Sequence, residues 1–221
     1  MLVLVLVLVF ARENGWRDLK QLDDWDTAAT ALTERGFAVL PGALTDVAWR
    51  GLREEAEQLL SRHAFSPARI GRGQGAREES ATRGGSVCWL DASMPAGDAF
   101  MSCMDGLRIS LNRALFLGLE AFEAHYAHYP AGTCYQRHVD RHAHTEARVV
   151  SAVAYLNSDW PADAGGELVI YDDHDAPRLT LAPEGGTLVL FMSEGTPHEA
   201  RQATRERWSV AGWFRTRPAD R

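Results

Sequence analysis

The chain has 221 residues, enough for one domain with a sizeable core, and its 46% hydrophobic and 24% charged residues are typical of a globular protein. The formal net charge of -7 argues against nucleic acid as the main partner, because binding to phosphates needs a basic face. Cys88, Cys103 and Cys134 are an odd number without close spacing, which argues against a disulfide framework or a structural zinc site and favours reduced thiols in a cytoplasmic protein.

Residues 1–10 are an apolar run of mainly leucine and valine. The run is too short to span a bilayer, and it lacks the basic start and small-residue cleavage site of a signal peptide. Its valines favour an edge strand or an extended tail. We therefore predict no membrane span, and a single domain over residues 11–221.

Helical patterns dominate residues 17 to about 118. A first helix is predicted over 17–35 and ends at Gly36, a second begins at a cap by Thr45 or Asp46 and runs to about His63, and a third covers 98–117. Short strands are predicted over 37–40 and 87–90. The residues expected to face the core are Leu19, Leu22, Ala29 and Leu32, then Val47, Leu52, Ala56, Leu59 and Leu60, then Met101, Met104, Leu107, Leu111, Leu115 and Phe116.

Residues 66–85 mix glycines with arginines. The GRGQG stretch lacks the GK[ST] that completes a phosphate loop. We predict a surface loop, which in its functional form is a basic lid over a substrate.

From residue 120 to about 216 the pattern changes to that of short strands separated by turn residues. Strands that follow helices indicate an α+β fold, with helices packed on one side of a sandwich, barrel or jelly roll. We predict a double-stranded β-helix, or jelly-roll, core. The predicted strands cover 121–129, 133–139, 148–156, 167–171, 178–182, 187–192 and 207–214.

His138 lies near the end of the predicted strand 133–139, Asp140 follows two residues later, and His198 comes after several more strands. Residues two apart in a strand point to the same side. Two imidazoles and one carboxylate hold ferrous iron on one face and leave other positions open. The pattern is common by chance, so its weight depends on the fold that brings these strands together.

The last predicted strand has two different faces. Trp208, Val210, Gly212 and Phe214 suit a core, whereas Arg207 is followed on its own face by the small residues Ser209 and Ala211 and then by Trp213. A guanidinium inside a barrel needs an anionic partner. That partner is either an acid such as Glu167 or Glu199, or the carboxylate of a ligand.

Other histidines surround the first pair. His125, His128, His142 and His144 form a cluster that is also compatible with zinc. We expect His142 and His144 to be solvated in a polar loop, and contact of one of them with a substrate is the open alternative. His63 and His174 are expected at the surface.

Five motifs in this order make the chain resemble the iron- and 2-oxoglutarate-dependent oxygenases, specifically the prolyl 4-hydroxylase group with its oxygen-sensing animal members and their bacterial relatives. The resemblance covers roughly residues 66–216. The motifs are HYPAGTCYQRHVD (128–140), AYLNSDW (154–160), AGGELVIY (164–171), PHE (197–199) and RERWSVAGWF (205–214).

The resemblance implies a role for each matching residue. His138, Asp140 and His198 would bind Fe(II), and Arg207, with the Tyr155 hydroxyl, would bind the distal carboxylate of 2-oxoglutarate. Three further residues would lie around the co-substrate and the target proline: Tyr129 at the metal-chelating end, Trp213 in the pocket, and Arg148 beside the substrate. Ascorbate is implied as the reductant and O2 as the oxidant.

The implied reaction is hydroxylation of a proline in a protein or peptide, with decarboxylation of 2-oxoglutarate. Arg83-Gly84-Gly85 departs from the family's frequent RGD, and the turn between Tyr129 and Tyr135 is one residue shorter than in the animal enzymes. Both departures concern substrate specificity. The alternatives are a hydroxylase of a free amino acid or small molecule, a non-catalytic metal-binding β-barrel sensor, and a zinc hydrolase, for which the sequence offers no obvious base.

Overall fold

The structure, a computed structural model, describes residues 22–68, 84–141 and 147–216, with side chains from residue 27 onward. Residues 1–10, the side chains of Leu19 and Leu22, most of the glycine- and arginine-rich loop, and His142 and His144 lie outside the described residues. Within the described part, no helix is long and apolar enough to cross a membrane.

Three helices precede most of the sheet: α1 (Leu22–Arg35), α2 (Asp46–Ser61) and α3 (Pro95–Leu115). Gly36 ends α1 in the left-handed region at φ 77°, as the sequence predicts. The Thr45 hydroxyl begins α2 by accepting a hydrogen bond from the Ala48 amide at 3.2 Å, which confirms the predicted cap. Of the thirteen predicted core residues whose side chains are described, seven are buried and four are partly buried.

Two predicted core residues are exposed instead. Val47 is 64% exposed because it lies in the first turn of α2, where Ala48 and Trp49 take the buried side. Phe116 is 89% exposed because it is the left-handed residue that ends α3, at φ 54°, and so leaves the helical stripe. Helical periodicity fails at both positions because each lies at a helix end.

The described residues contain eleven strands in two antiparallel sheets, ordered β1-β9-β6-β11-β4-β3-β2 and β5-β10-β7-β8. This arrangement is the predicted jelly-roll core, and each predicted strand from residue 121 onward is present. The strands are β1 (Phe37–Leu40), β2 (Ser66–Pro67), β3 (Ser86–Trp89), β4 (Ala121–Tyr129), β5 (Tyr135–His138), β6 (Arg148–Tyr155), β7 (Leu168–Tyr171), β8 (Pro177–Leu181), β9 (Leu188–Met192), β10 (His198–Ala200) and β11 (Arg207–Arg215).

Alternation along the strands separates two environments. On one face of the larger sheet, residues such as Val150, Leu190 and Phe214 pack against the helices. On the other face, Tyr155 and Phe191 pack towards residues of the smaller sheet. The helices thus cover one side only, as predicted, and the inner face is left to line a cavity between the sheets.

A partly buried carboxylate joins the helices to the sheet. Glu55 of α2 accepts hydrogen bonds from the Gly97 amide at 2.9 Å and the Ala96 amide at 2.9 Å, in the first turn of α3, and from the Tyr126 hydroxyl at 2.6 Å. Burial raises the pKa of Tyr126, and Glu55 raises it further. A carboxylate at a helix N-terminus is favourable, so this contact fixes α3 against β4.

Candidate active site

Two histidines meet across the smaller sheet. His138, the last residue of β5, pairs directly with His198, the first residue of β10, and their ring centroids are 4.2 Å apart. Asp140 lies two residues beyond the end of β5, not inside a strand as the alternation argument assumed. Its Oδ1 is 3.4 Å from His138 Nε2, and its Oδ2 is 3.8 Å from His198 Nε2.

Backbone carbonyls orient both imidazoles. His138 Nδ1 lies 2.8 Å from the carbonyl oxygen of Gln136, and His198 Nδ1 lies 3.0 Å from that of Thr196. Because a carbonyl only accepts, each Nδ1 is the donor and each Nε2 lone pair faces the centre of the site. Burial lowers the pKa of His198, although Asp140 opposes the shift, which favours the neutral form that binds metals.

Two serines support the carboxylate. Ser151 Oγ donates to Asp140 Oδ2 at 2.7 Å and lies 2.8 Å from Ser193 Oγ. Burial would raise the pKa of Asp140, but the two histidines and the Ser151 hydroxyl outweigh it and hold that pKa well below its ordinary value. Asp140 is therefore an anion, and the potential ligand atoms of the triad all lie within 4.8 Å of one another. This donor set fits Fe(II).

Replacing Ser151 with alanine is expected to weaken metal binding by roughly 10- to 100-fold, the usual effect of removing a partner of a metal ligand. The aspartate would lose its hydroxyl donor and rotate more freely. Titration of the metal-free protein with Fe(II) under anaerobic conditions measures this. An unchanged affinity, with unchanged thermal unfolding, would show that Ser151 only packs.

Arg207 begins β11 and is only 6% exposed. Its guanidinium carbon lies 4.6 Å from the centre of the Tyr129 ring, and its Nη1 donates to the Gly166 carbonyl at 3.3 Å. Gly166 has φ 77°, and a side chain there would meet Trp160 at 3.0 Å. A glycine is therefore required for this close approach.

No acid pairs with Arg207 among the described residues. Glu199, one of the two acids considered from the sequence, instead accepts from the Tyr171 hydroxyl at 2.6 Å and lies 3.6 Å from Arg201. Tyr155 faces the same cavity, and burial raises its pKa to about 12, with Arg207 opposing the shift. The guanidinium and the neutral phenol are thus two donors that suit a ligand carboxylate.

A cavity of about 560 Å³ joins these groups. The residues that line the cavity follow one another along β11 and its partner β4. Arg207 pairs with Tyr129, Ser209 with Ala127, and Trp213 with Glu123. Small side chains therefore separate the arginine from the tryptophan. On the opposite side of β11, Ser151 pairs with Trp213, so the triad lies next to the tryptophan end of this row.

Arg148 and Trp213 form the wall beyond the triad. The guanidinium carbon of Arg148 lies 3.5 Å from the Trp213 ring centroid, and both residues line the cavity. The Arg207 guanidinium thus lines one end of the cavity, and Arg148 with Trp213 lines the other. The structure brings all eight residues singled out from the sequence to this one cavity.

The remaining histidines separate into different environments. His128 points to the helical side, where it stacks on Trp208 at 4.2 Å and approaches Glu206 at 3.2 Å. His63 and His174 are exposed, as predicted. Within the described ranges, His138, Asp140 and His198 are the one cluster that satisfies a metal-binding geometry. The zinc cluster around His125 and His128 is therefore not formed by its described members.

His125 lines the cavity between Trp89 and Trp213, with ring centroids 5.1 Å and 5.5 Å away. Burial lowers its pKa from 6.5 to about 4. His125 therefore becomes protonated below about pH 6.5 in the unfolded chain, but only below about pH 4 in the folded chain. This histidine contributes stability above pH 6.5, and the contribution is lost as the pH falls through that window.

The His125→Gln variant is therefore expected to lose less stability on acidification than the wild type. Between pH 7 and about pH 4.5, the drop in its free energy of unfolding should be smaller by about 2 kcal/mol. Urea denaturation at both pH values measures the two drops, and all other titrating groups are common to both proteins. Equal drops would refute the assignment.

Sequence reasoning missed Ser151, Ser193 and Glu123. Ser151 shares a strand face with Val153 and Tyr155, so the alternation of β6 was a usable signal for a polar residue facing the cavity. Nothing local marks Ser193 or Glu123, because their partners lie 42 and 25 residues away along the chain.

The fold and the triad together define a class: jelly-roll proteins with a two-histidine, one-carboxylate metal site and an adjacent anion site. Residues 124–215 match the model of the 2OG-Fe(II) oxygenase superfamily. The chain is 35% identical to a prolyl-4-hydroxylase of Pseudomonas putida, with a TM-score of 0.78, covering 88% of this chain and 100% of that one. The chain belongs to the 2OG-Fe(II) oxygenase superfamily.

Two further similarities extend to animals. The chain is 32% identical to human Egl nine homolog 1 over 140 residues, which is 60% of this chain and 33% of that protein. It thus spans about a third of the length of that relative. A prolyl hydroxylase from Trichoplax adhaerens, solved with a hypoxia inducible factor peptide, shares the fold with a TM-score of 0.81 at 24% identity, covering 90% of this chain and 92% of that one.

Proposed function

We propose that this protein is an Fe(II)- and 2-oxoglutarate-dependent dioxygenase that hydroxylates a proline in a protein or peptide. The observation that carries the proposal is the convergence of the triad and Arg207 on one cavity. A buried guanidinium without an acid partner among the described residues needs an anion, and a dicarboxylate co-substrate provides one.

Each residue has a defined task. His138, Asp140 and His198 hold the iron, and Arg207 with the Tyr155 hydroxyl binds the distal carboxylate. Tyr129, whose ring centre lies 4.6 Å from the guanidinium carbon of Arg207, would contact the co-substrate from that side of the cavity. When bound, iron and 2-oxoglutarate supply the oxidising chemistry, with O2 as oxidant and ascorbate maintaining the ferrous state.

The protein supplies orientation and exclusion of water. The Gln136 and Thr196 carbonyls and the Ser151 hydroxyl fix the three metal ligands. The aromatic end at Trp213, with Arg148 stacked on it, provides an apolar face for a proline ring and a donor for a polar group of the substrate. Burial of these groups strengthens their electrostatic interactions.

A proline substrate is supported by the comparisons. The relative from Pseudomonas putida is a prolyl-4-hydroxylase and is covered over its whole length. The three free cysteines support a cytoplasmic location, in which thiols remain reduced.

The test is an assay with fresh Fe(II), 2-oxoglutarate, ascorbate and either a library of proline-containing peptides or a metabolite pool. Succinate production coupled to a mass gain of one oxygen atom on a peptidyl proline is expected. The same gain on a free amino acid or small molecule would identify that class of substrate instead. Metal binding without 2-oxoglutarate binding would indicate a sensor.

A further inference from the structure

A charged cluster lies at the Trp213 end of the cavity. It consists of Glu123 on β4, Arg148 on β6 and Arg215 on β11, and we call it the Glu123 cluster. Register brings these strands together, since Trp213 pairs with Glu123 and Arg215 pairs with Arg148. The three residues line the same cavity as the triad.

The Glu123 carboxylate connects the two arginines. Its Oε1 accepts from Arg148 Nη2 at 3.3 Å, and its Oε2 accepts from Arg215 Nη1 at 2.7 Å. The side chain of Glu123 is 16% exposed, that of Arg148 is 17% exposed and that of Arg215 is 32% exposed. These are partly buried ion pairs, so solvent screens them less than a surface pair.

Two carboxylates, those of Asp140 and Glu123, attract the Arg148 guanidinium. Burial lowers its pKa, and the negative charges of Asp140 and Glu123 oppose this shift. The long side chain is flexible, and its stacking on Trp213 depends on where its guanidinium is held. Without the charge of Glu123, Arg215 would repel Arg148 and Asp140 would attract it towards the metal ligands.

We propose that Glu123 is a positioning residue that holds the Arg148 guanidinium over the Trp213 ring, so that the substrate-facing wall is formed before the substrate binds. This inference rests on the proposed function in one respect, which is that the wall formed by Arg148 and Trp213 faces the substrate.

The first test measures the stacking directly. In the full chain loaded with Zn(II), a diamagnetic substitute for Fe(II), the ring current of Trp213 should shift the Arg148 side-chain resonances, which are identified by their absence in Arg148→Met. Glu123→Gln should lose this shift, and Glu123→Asp, shorter by one methylene, should lose part of it. Glu54→Gln, on the exposed surface of α2, is the matched control.

The second test is kinetic. Glu123→Gln is expected to raise the KM for a proline peptide by about tenfold, the scale of one charged hydrogen bond, and to leave the KM for 2-oxoglutarate unchanged. If Glu123 acts through Arg148, then adding Glu123→Gln to Arg148→Met should change the peptide KM no further. A merely structural role predicts additive losses.

The outcomes separate the two proposals. An unchanged ring-current shift in both Glu123 variants, or additive effects on KM, would overturn the positioning role. If the Glu123 variants lose the shift but the wild-type protein turns over no proline peptide, the positioning role would be supported and the proposed substrate overturned.

Discussion

The His138→Ala variant is expected to lose 2-oxoglutarate turnover completely. Removal of this imidazole leaves one histidine and one aspartate, which is too few protein ligands to retain Fe(II) at low concentration. The fold should survive, because His138 is the last residue of a short edge strand and not part of the apolar core. Metal content after dialysis and succinate formation are the two measurements.

The matched control is His174→Ala. His174 is exposed in the turn between β7 and β8, so its loss should change neither iron content nor turnover. If His138→Ala retained wild-type iron and activity, the assignment of the triad would be wrong. If it lost activity while keeping its iron, His138 would act on the substrate and not on the metal.

The Arg207→Ala variant is expected to raise the concentration of 2-oxoglutarate required for half-maximal rate by about thirtyfold or more. Truncating one member of a buried charge pair costs about 2 kcal/mol or more, and each 1.4 kcal/mol corresponds to a tenfold change. Iron binding should be unaffected, because the guanidinium does not belong to the triad. Initial rates over a range of 2-oxoglutarate concentrations measure the effect.

Two graded variants sharpen this test. Arg207→Lys retains the charge but not the forked donors, and should fall between alanine and wild type. Tyr155→Phe removes one neutral hydroxyl, and about 1 kcal/mol predicts roughly a fivefold effect. An unchanged 2-oxoglutarate requirement in Arg207→Ala would remove its assigned role and favour the metal-sensor alternative.

The sequence predicted the site better than it predicted local details of the fold. Strand alternation correctly placed Arg207, Ser209, Ala211 and Trp213 on one face, because β11 is a long, regular strand paired on both sides. Strand β10 was not predicted, since its three residues, HEA, carry too little pattern. Its pairing with β5, which brings His198 to His138, is a tertiary contact.

Asp140 shows a correct conclusion reached through an inexact argument. Alternation assumed that it lies in the same strand as His138, whereas β5 has already ended there. The carboxylate is held at the site by the Ser151 hydroxyl, which belongs to β6 of the other sheet and lies 2.8 Å from the Ser193 hydroxyl. Such support depends on which strands become neighbours, and the local sequence does not encode it.

The burial predicted for two residues at helix ends was wrong for a related reason. Val47 and Phe116 match the helical period, but the first turn of α2 and the left-handed end of α3 turn them into solvent. Periodicity describes the interior of a helix, while capping decides its ends. The Glu123 cluster likewise follows from strand register and not from any motif.

The most direct test of the central claim supplies 18O2 to the wild-type enzyme with Fe(II), 2-oxoglutarate and a proline peptide that it accepts. Equal amounts of succinate and hydroxylated peptide are expected, with one heavy oxygen atom in each product. Hydroxylated peptide that lacks the heavy oxygen, or that forms without 2-oxoglutarate, would contradict that claim.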